Sequence, residues 1–222
     1  MARTICIFVG LAAAAIAGPV IARALAQPQA SHVVDRIVAH IEGDIILQSQ
    51  LRELGAFQQL IEGRAESDDR LLAELIEQWV VQTEAADSHF PQPAQSEVDR
   101  ETARLAAQFT NPEAYAAKLR ELGLSAMQVR QLLARQIYVE RYLDYKFRPS
   151  VQIETSDIET YYQKELLPEL AKKNQPAPHL ADVEGQIREL LTQRGITAVA
   201  VKWLDETKSR LKIELTAPGA KP

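Results

Sequence analysis

Cysteine is almost missing from this 222-residue chain: there is one, Cys6. It lies in a segment whose pattern predicts removal on export and too early in it to accept a lipid, so the remaining chain needs neither disulfides nor a thiol nucleophile. Glycine (9 residues) and aromatics (6 %) are sparse. No glycine-rich phosphate loop and no Gly-x-Ser-x-Gly elbow occurs, so motifs for nucleotide or acyl-transfer chemistry are missing. The four histidines, His32, His40, His89 and His179, are scattered without ligand spacing, and neither a metal nor a cofactor is expected. Basic charge is also short. The formal net charge is −5, and without Arg3 and Arg23 it is about −7, which argues against a nucleic-acid groove.

What the chain does have begins with residues 1–26. Arg3 forms a basic start, residues 5–16 an apolar run, and Gly18-Pro19 a break. Ala24-Leu25-Ala26 is a small-x-small site, so a signal peptide cleaved between Ala26 and Gln27 is expected, giving an exported, periplasmic protein. An uncleaved anchor is the competing reading of the same run, which is nearly long enough to span a bilayer. The Ala-rich composition, the Gly-Pro break and the site after it favour cleavage, leaving the membrane touched only through the transient signal peptide.

Alanine, leucine, glutamate, glutamine and arginine dominate the rest and favour helix. Residues 27–32 read as a disordered leader. Ile37, Ala39 and Ile41 alternate with other neighbours, Glu42-Gly43-Asp44 turns, and Ile45-Ile46-Leu47 follows, which is a short β-hairpin. Ser49 is placed to cap a helix that ends at Gly63, and Ser67 or Asp68 to open a second, with Trp79 in the core. Ser96 with Asp99 is placed to cap a third, and Asn111-Pro112 starts a short fourth that ends at Gly123.

The central element is predicted over residues 125–147. Ser125 and Gln128 have capping-box spacing, no Gly or Pro intervenes before Pro149, and Val129, Leu132, Leu133, Val139, Leu143 and Phe147 make a wide apolar stripe. Ser156 and Glu159 then cap another helix, which Pro168 kinks or ends. A proline-rich linker covers 174–178. Two further helices are expected on either side of Gly195, the second holding Trp203 in the core, and residues 212–215 alternate like a terminal strand. There is no internal repeat of fixed period.

The order of these parts resembles SurA-type periplasmic chaperones. Val34, Asp35, Ile37, Ala39, Ile41, Ile45, Ile46, Leu47 and Ser49 match the hairpin and first helix of that family's N-terminal module. Gln136-Ile137 with Tyr142-Leu143, the run 155–159 leading to Tyr161-Tyr162, and the stretch 183–215 with Ile187, Leu190-Leu191 and Trp203-Leu204 match as well. The resemblance implies a mainly α fold in which a small antiparallel hairpin is joined by a C-terminal strand. It implies one domain over 33–215, made of a module (33–149), a helix and linker (150–179) and returning C-terminal helices and strand (180–215), with 216–222 as a tail. Full members carry parvulin-type prolyl isomerase domains where this chain has only residues 163–181, too few for such a domain.

The function implied is a holdase that covers apolar segments of unfolded or nascent exported and outer-membrane polypeptides, without isomerase catalysis. A degenerate prolyl isomerase and a dedicated assembly partner of one secreted protein are the rivals. Tyr138, Tyr142, Tyr161 and Tyr162 are the candidate client-binding residues, as an aromatic cradle; the same spacing also suits core or rim packing. No catalytic residue is assigned.

Overall fold

A computed structural model of the chain describes residues 35–216. The expected signal peptide (1–26), the leader (27–32) and the tail from 217 onward lie outside the described residues. The fold is mainly α with a small antiparallel sheet. Strands β1 (Ile37–Ile41) and β2 (Asp44–Leu47) form the hairpin around Glu42 and Gly43, both at positive φ. A register shift between Ile37 and Ala39 puts Val38 and Ala39 both inside, as a bulge allows.

The helices follow where apolar spacing predicts them, but several begin by other means. In α1 (Gln48–Glu62) the cap is not Ser49. Gln50 accepts from the Leu47 N–H at 2.8 Å, and the Asp35 carboxylate, reaching back from before β1, accepts from the Ser49 N–H at 3.1 Å. The Ser49 hydroxyl and amide together hold Asp35 below its usual carboxylate range, as charge at a helix start should. Helix α2 (Asp68–Asp87) opens after Ser67.

Helix α3 (Gln95–Ala106) starts at Ala94 rather than Ser96, and Asp99 instead pairs with Arg130. Helix α4 (Pro112–Leu122) has the expected Asn111 cap, accepting from Ala114 N–H at 2.8 Å, and ends at Gly123 with positive φ. Helix α5 (Ala126–Phe147) carries the Ser125/Gln128 capping box and spans about 33 Å. A 3-10 turn (Arg148–Ser150) holds Pro149.

Helix α6 (Thr155–Tyr161) begins with Glu154 and Asp157, not Ser156 and Glu159: Asp157 accepts from the Glu154 N–H at 2.9 Å. Pro168 does not end the run. A π-turn (Tyr162–Leu166), with the Leu167 N–H donating to Tyr162, carries the chain straight into α7 (Leu167–Lys172). The widened turn relieves the clash that a proline ring makes with the carbonyl four residues back.

The two helices expected around Gly195 are one, α8 (Leu180–Lys208). Gly195 is a notch rather than a stop: a Cβ there would lie 2.5 Å from Val151 Cγ1. Last, β3 (Ile213–Leu215) pairs antiparallel with β1, Ala39 opposite Leu215 and Ile41 opposite Ile213, giving the order β2-β1-β3.

Packing falls into four clusters, three of which include residues of α5. Val38, Ala39, Ile41 and Ile46 of the sheet pack on Leu51, Leu54, Leu71, Leu75 and Ile76 of α1 and α2, with Ile213 against them. Phe57, Leu60, Leu105, Leu119 and Leu124 close on Val129, Leu132 and Leu133. Val80, Val81 and Ala85 meet Tyr138, Tyr142 and Leu204, and Phe147 meets Ile196 and Ala200. Trp79 and Trp203 are half-buried at the edges of these clusters, not inside them.

Truncation after Arg210 removes Ile213 from the first cluster and the bonds between Glu42 and Lys212 and from the Thr216 N–H to Val38. One half-buried Ile side chain and a few hydrogen bonds correspond to roughly 1–3 kcal/mol. The urea midpoint of the hairpin region should fall together with that of the rest, by about 1 M; an unchanged midpoint counts against closure by β3. The two glycines of α8 should respond in opposite directions. Gly185 has open space around it, so Gly185→Ala should stabilise by about 0.5–1 kcal/mol. Gly195→Ala should destabilise by about 1–3 kcal/mol, with Val151→Ala restoring much of it in the double variant.

Candidate functional site

Helices α2 and α5 lie side by side, and small residues on each leave room between their longer side chains. Ala86 on α2 and Ala134 on α5 line a cleft of about 610 Å³ whose end is closed by Ile45 and Ile46 of β2. Helical spacing places Gln78, Gln82 and Thr83 on one wall and Gln131, Arg135 and Tyr138 on the other, with Gln50 and Gln92 at the margins. Of the lining residues only Arg135 is charged.

Two of the five glutamines are engaged: Gln50 caps α1, and Gln78 donates to Glu74 at 3.0 Å. Gln82, Gln92 and Gln131 make no side-chain hydrogen bond to any described residue. Trp79 stands at the mouth, its Nε1 donating to Asp44 Oδ2 at 2.9 Å, which ties the indole to the start of β2. Beside it Ile45 is 46 % exposed, on a strand that is the outer edge of its sheet. An amide side chain offers donors and an acceptor without charge, as a peptide group does. A cleft of free amides beside an unpaired strand edge therefore suits an extended polypeptide backbone and is indifferent to its side chains.

A second opening lies between the α6–α7 run and α8. It is a trough of about 470 Å³ lined by Leu166, Leu170, Val183, Ile187 and Leu190, with Tyr161, Gln175, Pro176, Pro178 and Gln186, and it has no charged lining residue. Tyr162 donates to the Pro178 carbonyl at 2.6 Å and so fixes the linker over the trough. Arg194 lies 5.1 Å from the Tyr161 ring centre.

The trough is held to the rest by Arg148, whose guanidinium bonds Asp144 on α5 and Glu189 on α8, each at 2.7 Å by its Nη2. These bonds pull Glu189 down to about 2 and Asp144 below its usual range.

The four candidate tyrosines do not form one cradle. Tyr138 and Tyr142 are 4 % and 2 % exposed. Phe90, turned inward after His89 at positive φ, packs its ring 5.8 Å and 5.4 Å from theirs. Tyr142 Oη lies 3.3 Å from Ser88 Oγ. They act as core, with Tyr138 alone reaching the cleft wall. Tyr161 and Tyr162 sit apart at the trough, where only Tyr161 lines it. Two groups of site residues escaped the sequence reading: the glutamines 78, 82 and 131, and Trp79. Their signal was present as uncharged polar residues at i, i+4 on the same faces as small residues, a pattern easily taken for a solvated flank. Among the described residues no group of three or more His, Cys, Asp or Glu is placed to hold a metal ion. No protein-family model matches the chain, and no curated protein matches it either.

The Arg148 bridge is testable by titration. Glu189 is depressed in the fold, so its interaction is present above the ordinary carboxylate range near 4.5 and is lost as pH falls towards about 2. NMR titration of Glu189 should find its midpoint well below 4, and in Arg148→Met that midpoint should return to the ordinary range. Because the pair is solvent-exposed, the variant's melting curve should change little. An unshifted Glu189 in the wild-type chain would mean that α5 and α8 are not bridged in solution.

Proposed function

We propose that this protein is an exported, periplasmic holdase-type chaperone that covers apolar segments of unfolded exported or outer-membrane polypeptides and performs no isomerase catalysis. The observation that carries the reading is the amide-lined cleft beside the β2 edge, in which Arg135 is the one charged residue among those described. A holdase must accept many sequences, so its surface has to recognise what all chains share, the backbone and some apolar area. Free amides meet the first need. Trp79, Ile45 and, in the second trough, Leu190 and Val183 meet the second. Burying apolar area at about 25 cal/mol per Å² holds a client without any catalytic group.

Lowering the barrier to peptide-bond rotation, roughly 18–20 kcal/mol, asks for a shaped pocket around the proline. The first opening is lined by amides that suit a passing backbone and the second mainly by apolar side chains, which supports holding over isomerisation. The resemblance of residues 33–215 to the SurA-type module agrees with this reading, and the shortness of 163–181 explains why holding would occur without isomerisation.

The assay pair is aggregation of an unfolded outer-membrane protein and cis/trans exchange of a proline peptide, each with and without the chain. Suppressed aggregation with unchanged exchange is expected. The cleft is then tested by Gln82→Glu with Gln131→Glu. Placing two carboxylates against a bound backbone should weaken client affinity about tenfold, or ~1.4 kcal/mol, with an unchanged melting curve. Faster exchange would point to the isomerase instead. Neither effect, or activity on one client alone, would leave a dedicated assembly partner as the better account.

A further inference from the structure

Where three packed clusters meet, the surface between α1, α2 and α5 opens into another groove, of about 310 Å³. Leu54, Phe57, Leu132 and Leu204 form its floor, and all are buried. Its margin is of opposite character to the amide-lined cleft: Glu62, Glu74, Glu77 and Glu140 line it, against one cation, Arg135.

Glu77 is satisfied by Lys208, whose Nζ lies 2.7 Å away. The other three carboxylates have no such partner among the described residues. Glu74 has only the amides of Gln58 and Gln78, at 2.7 and 3.0 Å, Glu140 only that of Gln136 at 2.9 Å, and Glu62 makes no side-chain hydrogen bond. Burial and the charges of Glu62 and Glu77 raise Glu74 above its usual range, although the two amides oppose this. A cation brought to this margin would relieve that repulsion.

We propose that the groove takes a short basic amphipathic helix from another polypeptide, its apolar side chains on the floor and its lysines or arginines against Glu62, Glu74 and Glu140. Charge complementarity selects this occupant. An acidic segment would meet three uncompensated carboxylates, and a second copy of this chain, at −5 overall, brings the wrong sign. The volume is at the small end of the ~300–1,000 Å³ typical of enclosed ligand sites, and four helices, α1, α2, α5 and α8, bound it. That suits the anchors of one or two helical turns rather than a folded domain.

The groove shares only Gln78 and Arg135 with the amide-lined cleft, so it is independent of the holdase reading. Either can fail without the other.

The test uses the full chain and two labelled probes of about 14 residues, roughly 21 Å as helices. One alternates leucine and lysine in amphipathic register; the other has glutamate for every lysine. Fluorescence anisotropy near 0.15 M salt should show the lysine probe binding at least about tenfold more tightly than the glutamate probe. The triple variant E62Q/E74Q/E140Q should lose about tenfold for the lysine probe. A remote triple of equal charge change, E113Q/E159Q/D182N, should lose less than about twofold. Ile61→Ser, at the half-exposed edge of the floor, should weaken binding at unchanged net charge, and melting curves check that each variant is folded. Equal losses in the two triples would reduce the effect to overall charge and overturn the proposal. So would equal binding of the two probes, or no binding of either.

Discussion

The apolar stripe of α5 is the contact on which the other parts depend. Six of its seven buried residues, Val129, Leu132, Leu133, Tyr138, Tyr142 and Phe147, fall into successive clusters along its length. The N-terminal third packs on α1, α3 and α4, the middle on α2 and the Phe90 turn, and the end on α8. Among the described residues it packs on α1, α2, α3 and α8 and on the turn that follows it. The capping box at Ser125 sets where the stripe begins, and the proline at 149 sets where it stops. Both fix its rotational phase relative to its partners. A shift of one residue would turn the stripe by about 100° and leave most of these contacts unmade.

That phase also decides the surface. On α5, Gln131, Ala134, Arg135 and Tyr138 face the amide-lined cleft, while Gln136, Val139, Glu140 and Leu143 face the acidic groove. Two openings of different electrostatic character therefore share one wall, with Arg135 at the boundary. Carboxylates would repel the carbonyl dipoles of a bound backbone and favour cations, and amides discriminate against neither. Keeping the acids on the α1 side and the amides on the β2 side lets one small domain present both surfaces.

Closure at the ends comes from a different source. A two-stranded hairpin is marginal by itself, and β3 arrives from the far end of the chain to make it three-stranded. The Lys212 amide donates to Glu42 Oε1 at 2.6 Å and the Glu42 amide to the Lys212 carbonyl at 3.2 Å. Between α5 and β3 the chain makes one excursion through α6, the π-turn, α7 and α8. Arg148 and the notch at Gly195, which lets Val151 approach the α8 backbone, return it to α5.

The sequence by itself determined the element types, the hairpin and its turn, the central helix with both ends, and the helix stops at Gly63 and Gly123. These are set by local periodicity, by proline and glycine, and by capping chemistry within a few residues. Where a cap came from farther away, as when Asp35 reaches Ser49, the nearest serine was the wrong choice. Gly195 and Pro168 look like breakers in sequence because their meaning as breakers is local. Only the tertiary structure brought Val151 against Gly195 and allowed a π-turn before Pro168, so that both lie within continuous helix. The site was the least legible part. Tyr138 and Tyr142 carry the aromatic signal of a binding surface, yet Phe90 and α2 bury them. Gln82, Gln131 and Trp79 carry almost no signal alone and form a cleft only when α2 and α5 pack side by side, with Ala86 and Ala134 leaving room between them. Spacing within one helix is encoded by its own residues; the gap between two helices depends on side chains far apart in the chain, and that only packing decides.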